Sequence, residues 1–321
     1  MEISSILTSN LLSVPVLVFS LGLIGAAIKG DLKLPEPVYQ AISIFLLFGI
    51  GLKGGHSLTG ASFSVFFLPA LSTIFLGALI PAAAFLILGI GSKFSGADRG
   101  SIAAHYGSTS LVTFSAALIF LESQAIEVEG FATALLTIME VPGIIVGIYL
   151  GSRYSHQVVA WKNTLFEVLT GKTILLLVGG MVVGFFTSET GYEKVSPFFI
   201  DLQPGVLALF LLHLGFVAGS NWQEIRKVGS IIVTFALLFP IMAGASGVFV
   251  GNLIGLSVGG ATILGVLAAS ASYIAAPAAV SLGLPSANGS LALISSIGIT
   301  FPFNLLVGIP LYFEIAQILA G

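Results

Sequence analysis

Gly107 to Leu118 reads GSTSLVTFSAAL, and Ala269 to Val280 reads ASASYIAAPAAV. Laid without a gap, they place Ser108-x-Ser110 on Ser270-x-Ser272 and Ala116-Ala117 on Ala278-Ala279. Each is a small-residue, hydroxyl-bearing stretch inside an apolar run, and each falls in the fourth such run of its half of the chain. Matching polar interruptions in corresponding hydrophobic segments are what a secondary transporter with inverted repeats shows.

Composition sets the solvent. The 321 residues are 56% hydrophobic and 8% charged, against roughly 25% charged in a soluble domain. Lipid must therefore cover most of the surface. With no cysteine, the chain has no disulfide framework and no thiolate metal site. A net charge of −3 without a basic block excludes nucleic acid as a partner. The opening MEISSILTSN carries no Lys or Arg, and no cleavage site follows, so the first apolar run is expected to be a retained helix rather than a signal peptide.

A span needs about 20 mostly apolar residues. Ten runs qualify: 9–28, 37–52, 64–91, 101–121, 131–150, 172–188, 198–218, 230–251, 260–283 and 291–319. The expected fold class is an all-α membrane protein, with the fourth and ninth helices discontinuous at the two Ser segments. Alternate loops place Lys29, Lys33, Lys93, Arg99, Arg153, Lys162, Lys172, Arg226 and Lys227 on one side, and only Lys53 and Lys194 on the other. The positive-inside rule puts the first side in the cytoplasm and both termini outside. The acidic loop with Glu122, Glu127 and Glu129 then faces outward.

Further pairs repeat across the halves. Gly51-Leu52-Lys53-Gly54-Gly55 matches Gly215-Phe216-Val217-Ala218-Gly219, Pro69 matches Pro240, and Pro142 matches Pro302. Their offsets of 164, 171 and 160 lie close to the 162 of the Ser segments. Five spans per half is an odd number, so the second repeat inserts upside down. The expected organisation is a first five-helix repeat over 1–152, a cytoplasmic linker over 153–171 and an inverted repeat over 172–321. The linker reads as an amphipathic surface helix with Trp161, Leu165 and Phe166 toward headgroups, or as a plain connector.

Candidate substrate contacts are Ser108, Thr109, Ser110 and Thr113 from the first half, and Ser270, Ala271, Ser272 and Tyr273 from the second. If both helices break at the midplane, half-helix N-termini bare N–H donors to a small anion. Neither segment carries a Lys or Arg that would hold such an anion too tightly to release it. Isolated Ser and Thr in membrane helices more often bond their own backbone. Glu140, two residues before Pro142, is an ionisable group at membrane depth and functional by default. With the carbonyl that Pro142 frees, it is a candidate cation or proton site. Thr300 and Asn304 flank Pro302 and add neutral oxygens; with Ser110 and Ser272 they complete the candidate set for a coupling ion. His105, Tyr106 and His213 read more simply as structural hydrogen-bonders, and Lys53 as a snorkelling residue.

The stretches GSTSLVTFSAALIFLE at 107–122, MEVPG at 139–143, LAASASYIAAPAAVSLGLPSAN at 267–288 and TFPFNLLVGIPLY at 300–312 resemble the SbtA-type sodium-dependent bicarbonate permeases of bacteria. They lie in order and span both halves. The resemblance implies ten spans as two inverted repeats, a homotrimer in the bacterial inner membrane, and uptake of bicarbonate coupled to Na+. It also implies an anion site between the broken helices, contacted by Ser108, Ser110, Thr113, Ser270 and Ser272, with Glu140 in place of an acidic residue before Pro. The cyanobacterial type has an Asp where this chain has Tyr273, and a long linker where this one is short. A PII-like cytoplasmic regulator is known in that family. Other readings are a Na+- or proton-coupled carrier of another small anion, and a passive channel. An intramembrane enzyme is not expected, since the chain shows no His-Glu-x-x-His.

Overall fold

The computed structural model describes residues 3–60, 63–90, 94–227 and 229–321. Lys93, counted above on the basic side, lies outside them. Helix accounts for 82% of the chain, with no strand among the described residues. In order the helices are α1 (Ile3–Leu11), α2 (Val14–Ala27), α3 (Glu36–Leu58), α4 (Phe63–Ile87), α5 (Gly96–Gly107), α6 (Leu111–Ser123), α7 (Ala132–Ser155) and α8 (Trp161–Thr170). They continue as α9 (Lys172–Phe186), α10 (Glu189–Ser196), α11 (Gln203–Ser220), α12 (Trp222–Lys227), α13 (Ser230–Leu253), α14 (Val258–Ala269), α15 (Ala276–Gly283) and α16 (Gly289–Ala320).

Among the described residues, seven segments are long and apolar enough to cross a membrane. They are α3, α4, α5 with α6, α7, α10 with α11, α13 and α16. An eighth forms if α8 and α9, bent by 49° at Gly171, count as one span. The sixth predicted run thus has only the 15 residues of α9, too few to span alone, and the linker helix extends it. The first run divides at Leu12–Ser13, where Pro15 starts α2, and the third stays one helix through Pro69 and Pro81. The second and seventh run past their predicted ends, to Leu58 and back to Glu189. In α8, Thr164 and Val168 face inward and Phe166 and Leu169 are exposed, while Trp161 and Leu165, expected toward headgroups, are half-buried.

Small residues bring these helices together, because lipid offers no hydrophobic drive and close backbone contact must supply the attraction. A Cβ on Gly51 would lie 3.1 Å from Gly180 Cα, so α3 seats on α9 there. A Cβ on Gly215 would lie 3.2 Å from Gly22 Cα, so α11 seats on α2 in the same manner. α3 thus pairs with α9, and α2 with α11, each across more than 100 residues of sequence.

Prolines open the backbone, and distant polar groups close it. Pro240 frees the Ala236 carbonyl, and the Thr300 hydroxyl donates to it at 2.7 Å. Pro310 frees the Leu306 carbonyl, and Asn10 Nδ2 donates to Leu305 and Leu306 O at 3.0 and 3.1 Å. Asn10→Leu should lower stability by about 1–2 kcal/mol through these unmet carbonyls. Thermal melting in detergent measures it; a variant as stable as the parent would show the amide to be dispensable.

Candidate functional site

Both Ser segments are breaks. Ser108 and Thr109 lie between α5 and Ser110, the N-cap of α6. Residues 270–275 separate α14 from α15. A helix ends with unsatisfied backbone groups, and here the partner segment takes them. Ser272 N donates to His105 O at 2.8 Å, closing the last turn of α5. Ser110 N donates to Ser270 Oγ at 3.0 Å. The Ser110 hydroxyl reaches Tyr273 OH at 3.4 Å. The breaks therefore meet face to face.

They also run antiparallel. Beyond the C-terminus of α6, the Glu129 carboxylate accepts from Ser257 N at 2.7 Å and from Ser257 Oγ at 3.0 Å, at the start of α14. At the other end, Asp98 in the first turn of α5 accepts from Asn288 N at 2.7 Å, just past α15. Gln157 bonds Ser286 at that same end.

The second serine of each motif serves the backbone. Ser110 Oγ accepts from Thr113 N at 3.3 Å, and from the Thr113 hydroxyl at 3.0 Å. Ser272 Oγ accepts from Ala275 N at 3.2 Å and Ala276 N at 3.4 Å, starting α15. Ser270 Oγ donates to Leu267 O at 2.9 Å, and Thr109 Oγ1 to Leu136 O at 3.3 Å. Ala271, buried between the two serines, brings only backbone. The familiar self-bonding role thus claims most of these hydroxyls.

His105 Nε2, Ser108 Oγ and Glu140 Oε2 by the first break have no hydrogen-bond partner among the described residues, and neither has Ser101 Oγ, two turns back along α5. Buried polar atoms are normally paired, so this concentration points to a ligand. His105 Nδ1 lies 2.8 Å from Ser101 O. Donating there leaves Nε2 of a neutral ring as an acceptor. On the far side of the break, the N–H groups of Leu111 and Val112, first in α6, also lack acceptors among the described residues.

Glu140 reaches this place by register. Antiparallel to α5, α7 sets Gly151 against Gly100, Gly147 against Ala104 and Gly143 against Gly107. Leu136 then meets Thr109. Glu140 belongs to the same stripe, between Gly143 and Leu136, at the level of Ser108. It is 3% exposed, which excludes solvent as its partner. The predicted pairing with the proline-freed carbonyl does not form. Ile138 and Pro142 face an apolar cavity of about 650 Å³, and two residues turn the helix by about 200°. The carboxylate and that carbonyl therefore point apart.

Thr300 and Asn304 brace the breaks. Tyr106 OH and Thr300 Oγ1 lie 2.6 Å apart, joining α5 to α16. Asn304 Nδ2 donates to Ala269 O at 2.8 Å, closing the last turn of α14. Its Oδ1 accepts from Tyr312 OH at 3.0 Å, and that hydroxyl also lies 3.0 Å from Pro240 O. Of the other noted residues, His213 Nδ1 accepts from Leu34 N at 3.1 Å, a structural bond. The sequence reading missed Ser101, the unpaired edge of His105 and the pins Glu129 and Asp98. Gly143, Gly147 and Gly151 recur every four residues, and that spacing was a signal for the stripe.

A multi-pass helical membrane protein whose two interrupted segments cross antiparallel and leave buried polar atoms unpaired is built as a transporter, not as an enzyme. The signature of the Na+-dependent bicarbonate transporter superfamily matches residues 15–317, and the chain belongs to that family. No curated protein matches it.

Proposed function

We propose that the chain takes up bicarbonate driven by Na+, through alternating access, as ten spans in two inverted five-helix repeats. The observation that carries this is the meeting of the breaks. α5 and α14 end there with the negative poles of their dipoles, and α6 and α15 begin there with the positive ones. One pocket then offers donors to an anion and acceptors to a cation. The free N–H groups of Leu111 and Val112, with Ser108, receive the bicarbonate oxygens. Glu140 and the α5 carbonyl end hold Na+, whose charge offsets that of the anion beside it. All donors to the anion are neutral, so binding stays weak enough for release. The reciprocal seating of α3 on α9 and α11 on α2 supports the inverted duplication. Assembly as a homotrimer, outward termini and a PII-like partner belong to the same reading.

Uptake of radiolabelled bicarbonate into proteoliposomes, with and without an inward Na+ gradient, tests it. Ser108→Ala should cut uptake about ten-fold, the loss of one hydrogen bond to a charged group, with unchanged melting. Ser110→Ala should also cost about 1 kcal/mol of stability, because the cap of α6 is lost. Uptake indifferent to Na+, or a wild-type rate in Ser108→Ala, overturns the assignment.

A further inference from the structure

A second polar cavity, of about 500 Å³, opens between α3, α6 and the start of α7. Lys53, Ser57, Phe114, Glu122, Glu127 and Thr133 are among its walls. Its floor lies one helical turn from the crossing on two sides. Phe114 N bonds Ser110 O on α6, and Thr133 stands one turn from Leu136, whose carbonyl accepts from Thr109. Gly54 sits directly against the Thr133 side chain, and this close approach of α3 to α7 brings the neighbouring Lys53 onto the cavity wall.

Lys53 is the one Lys or Arg in α3, in a stretch otherwise apolar from Ile44 to Gly55. Exposed to the cavity, it makes no ion pair with a described carboxylate. Glu129 on the same wall is committed to Ser257. Glu122 and Glu127 make no ion pair among the described residues. The cavity walls therefore carry one ammonium and two carboxylates that make no ion pair among the described residues.

Building on the transport reading above, we propose that this cavity is the outer vestibule, in which Lys53 gathers the anion while Glu122 and Glu127 gather the accompanying cation. Both ions then reach the crossing from one chamber. Lys53 is a positioning residue that raises local anion concentration and makes no contact in the final site. A lysine merely reaching for the headgroups would leave the anion preference of the cavity unchanged when it is removed.

The absence of cysteine makes the test direct. Ser57→Cys, an exposed wall position one helical turn from Lys53, in the full chain and in intact cells, is exposed to membrane-impermeant thiosulfonates bearing either a sulfonate or a quaternary ammonium. The label is scored on protein that elutes as the folded species. Labelling is expected from outside, and Lys53→Gln should lower the sulfonate-to-ammonium rate ratio about four-fold. A unit charge about 5 Å away in salt water shifts each reagent roughly two-fold, in opposite senses. In uptake assays Lys53→Gln should raise the KM for bicarbonate several-fold at unchanged maximal rate, and Lys53→Arg should restore it. An unchanged ratio, no labelling of folded protein, or labelling only in inverted membranes overturns the vestibule. Failure of the parent chain to take up bicarbonate would strike the transport reading instead, and the labelling ratio would still decide the charge of the cavity.

Discussion

Glu140→Gln should depress Na+-driven bicarbonate uptake by about 100-fold while the protein folds and melts as before. Gln preserves the shape of the side chain and one carbonyl oxygen, and removes only the charge. Oε2 of Glu140 has no protein partner among the described residues, so no hydrogen bond inside the fold is lost. What disappears is the one carboxylate on the stripe that faces the first break. A buried charge and its counter-ion couple by about 3 kcal/mol, which is roughly the stated factor. Glu140→Asp should retain part of the activity with a raised apparent KM for Na+, because the charge remains but withdraws by one methylene. Uptake by Glu140→Gln within two-fold of the parent would remove Glu140 from the mechanism.

The second large effect is on folding. Gly143→Ala should lower stability by about 3 kcal/mol or prevent assembly altogether. A Cβ at Gly143 would lie 2.8 Å from Gly107 Cα and closer still to its carbonyl, and backbone there cannot yield. Overpacking in a tight interior costs about 1–3 kcal/mol, more when no side chain can move aside. The control is Gly179→Ala in α9, where a Cβ meets nothing within 4 Å. There the higher helix propensity of Ala should leave stability equal or slightly raised. Size-exclusion profiles after heating separate the two; equal melting of both variants would contradict the packing of α7 on α5.

How much of this was legible varies with the physics of each feature. The breaks were readable because small and hydroxyl residues interrupt apolar runs in few ways that lipid tolerates. The role of each serine was not. Ser108 and Ser110 look alike in sequence, yet one caps α6 and the other is left unpaired, since only the relative placement of two backbones decides which N–H lies within reach. Glu140 was singled out by the cost of an acid at membrane depth. Its partner was misjudged, because a neighbour two residues along lies on the opposite side of a helix. The deepest braces were invisible: Asn10 serves carbonyls freed by Pro310, and Tyr312 joins Pro240 to Asn304.

The amino-acid sequence by itself determined the all-helical membrane class and the two interruptions, because the absence of water along the bilayer core restricts local composition residue by residue. Which donors and acceptors remain unpaired at the crossing was decided only in three dimensions. That outcome depends on how α5, α7 and α14 approach through their glycines, and contact between segments some 160 residues apart leaves no trace in local pattern.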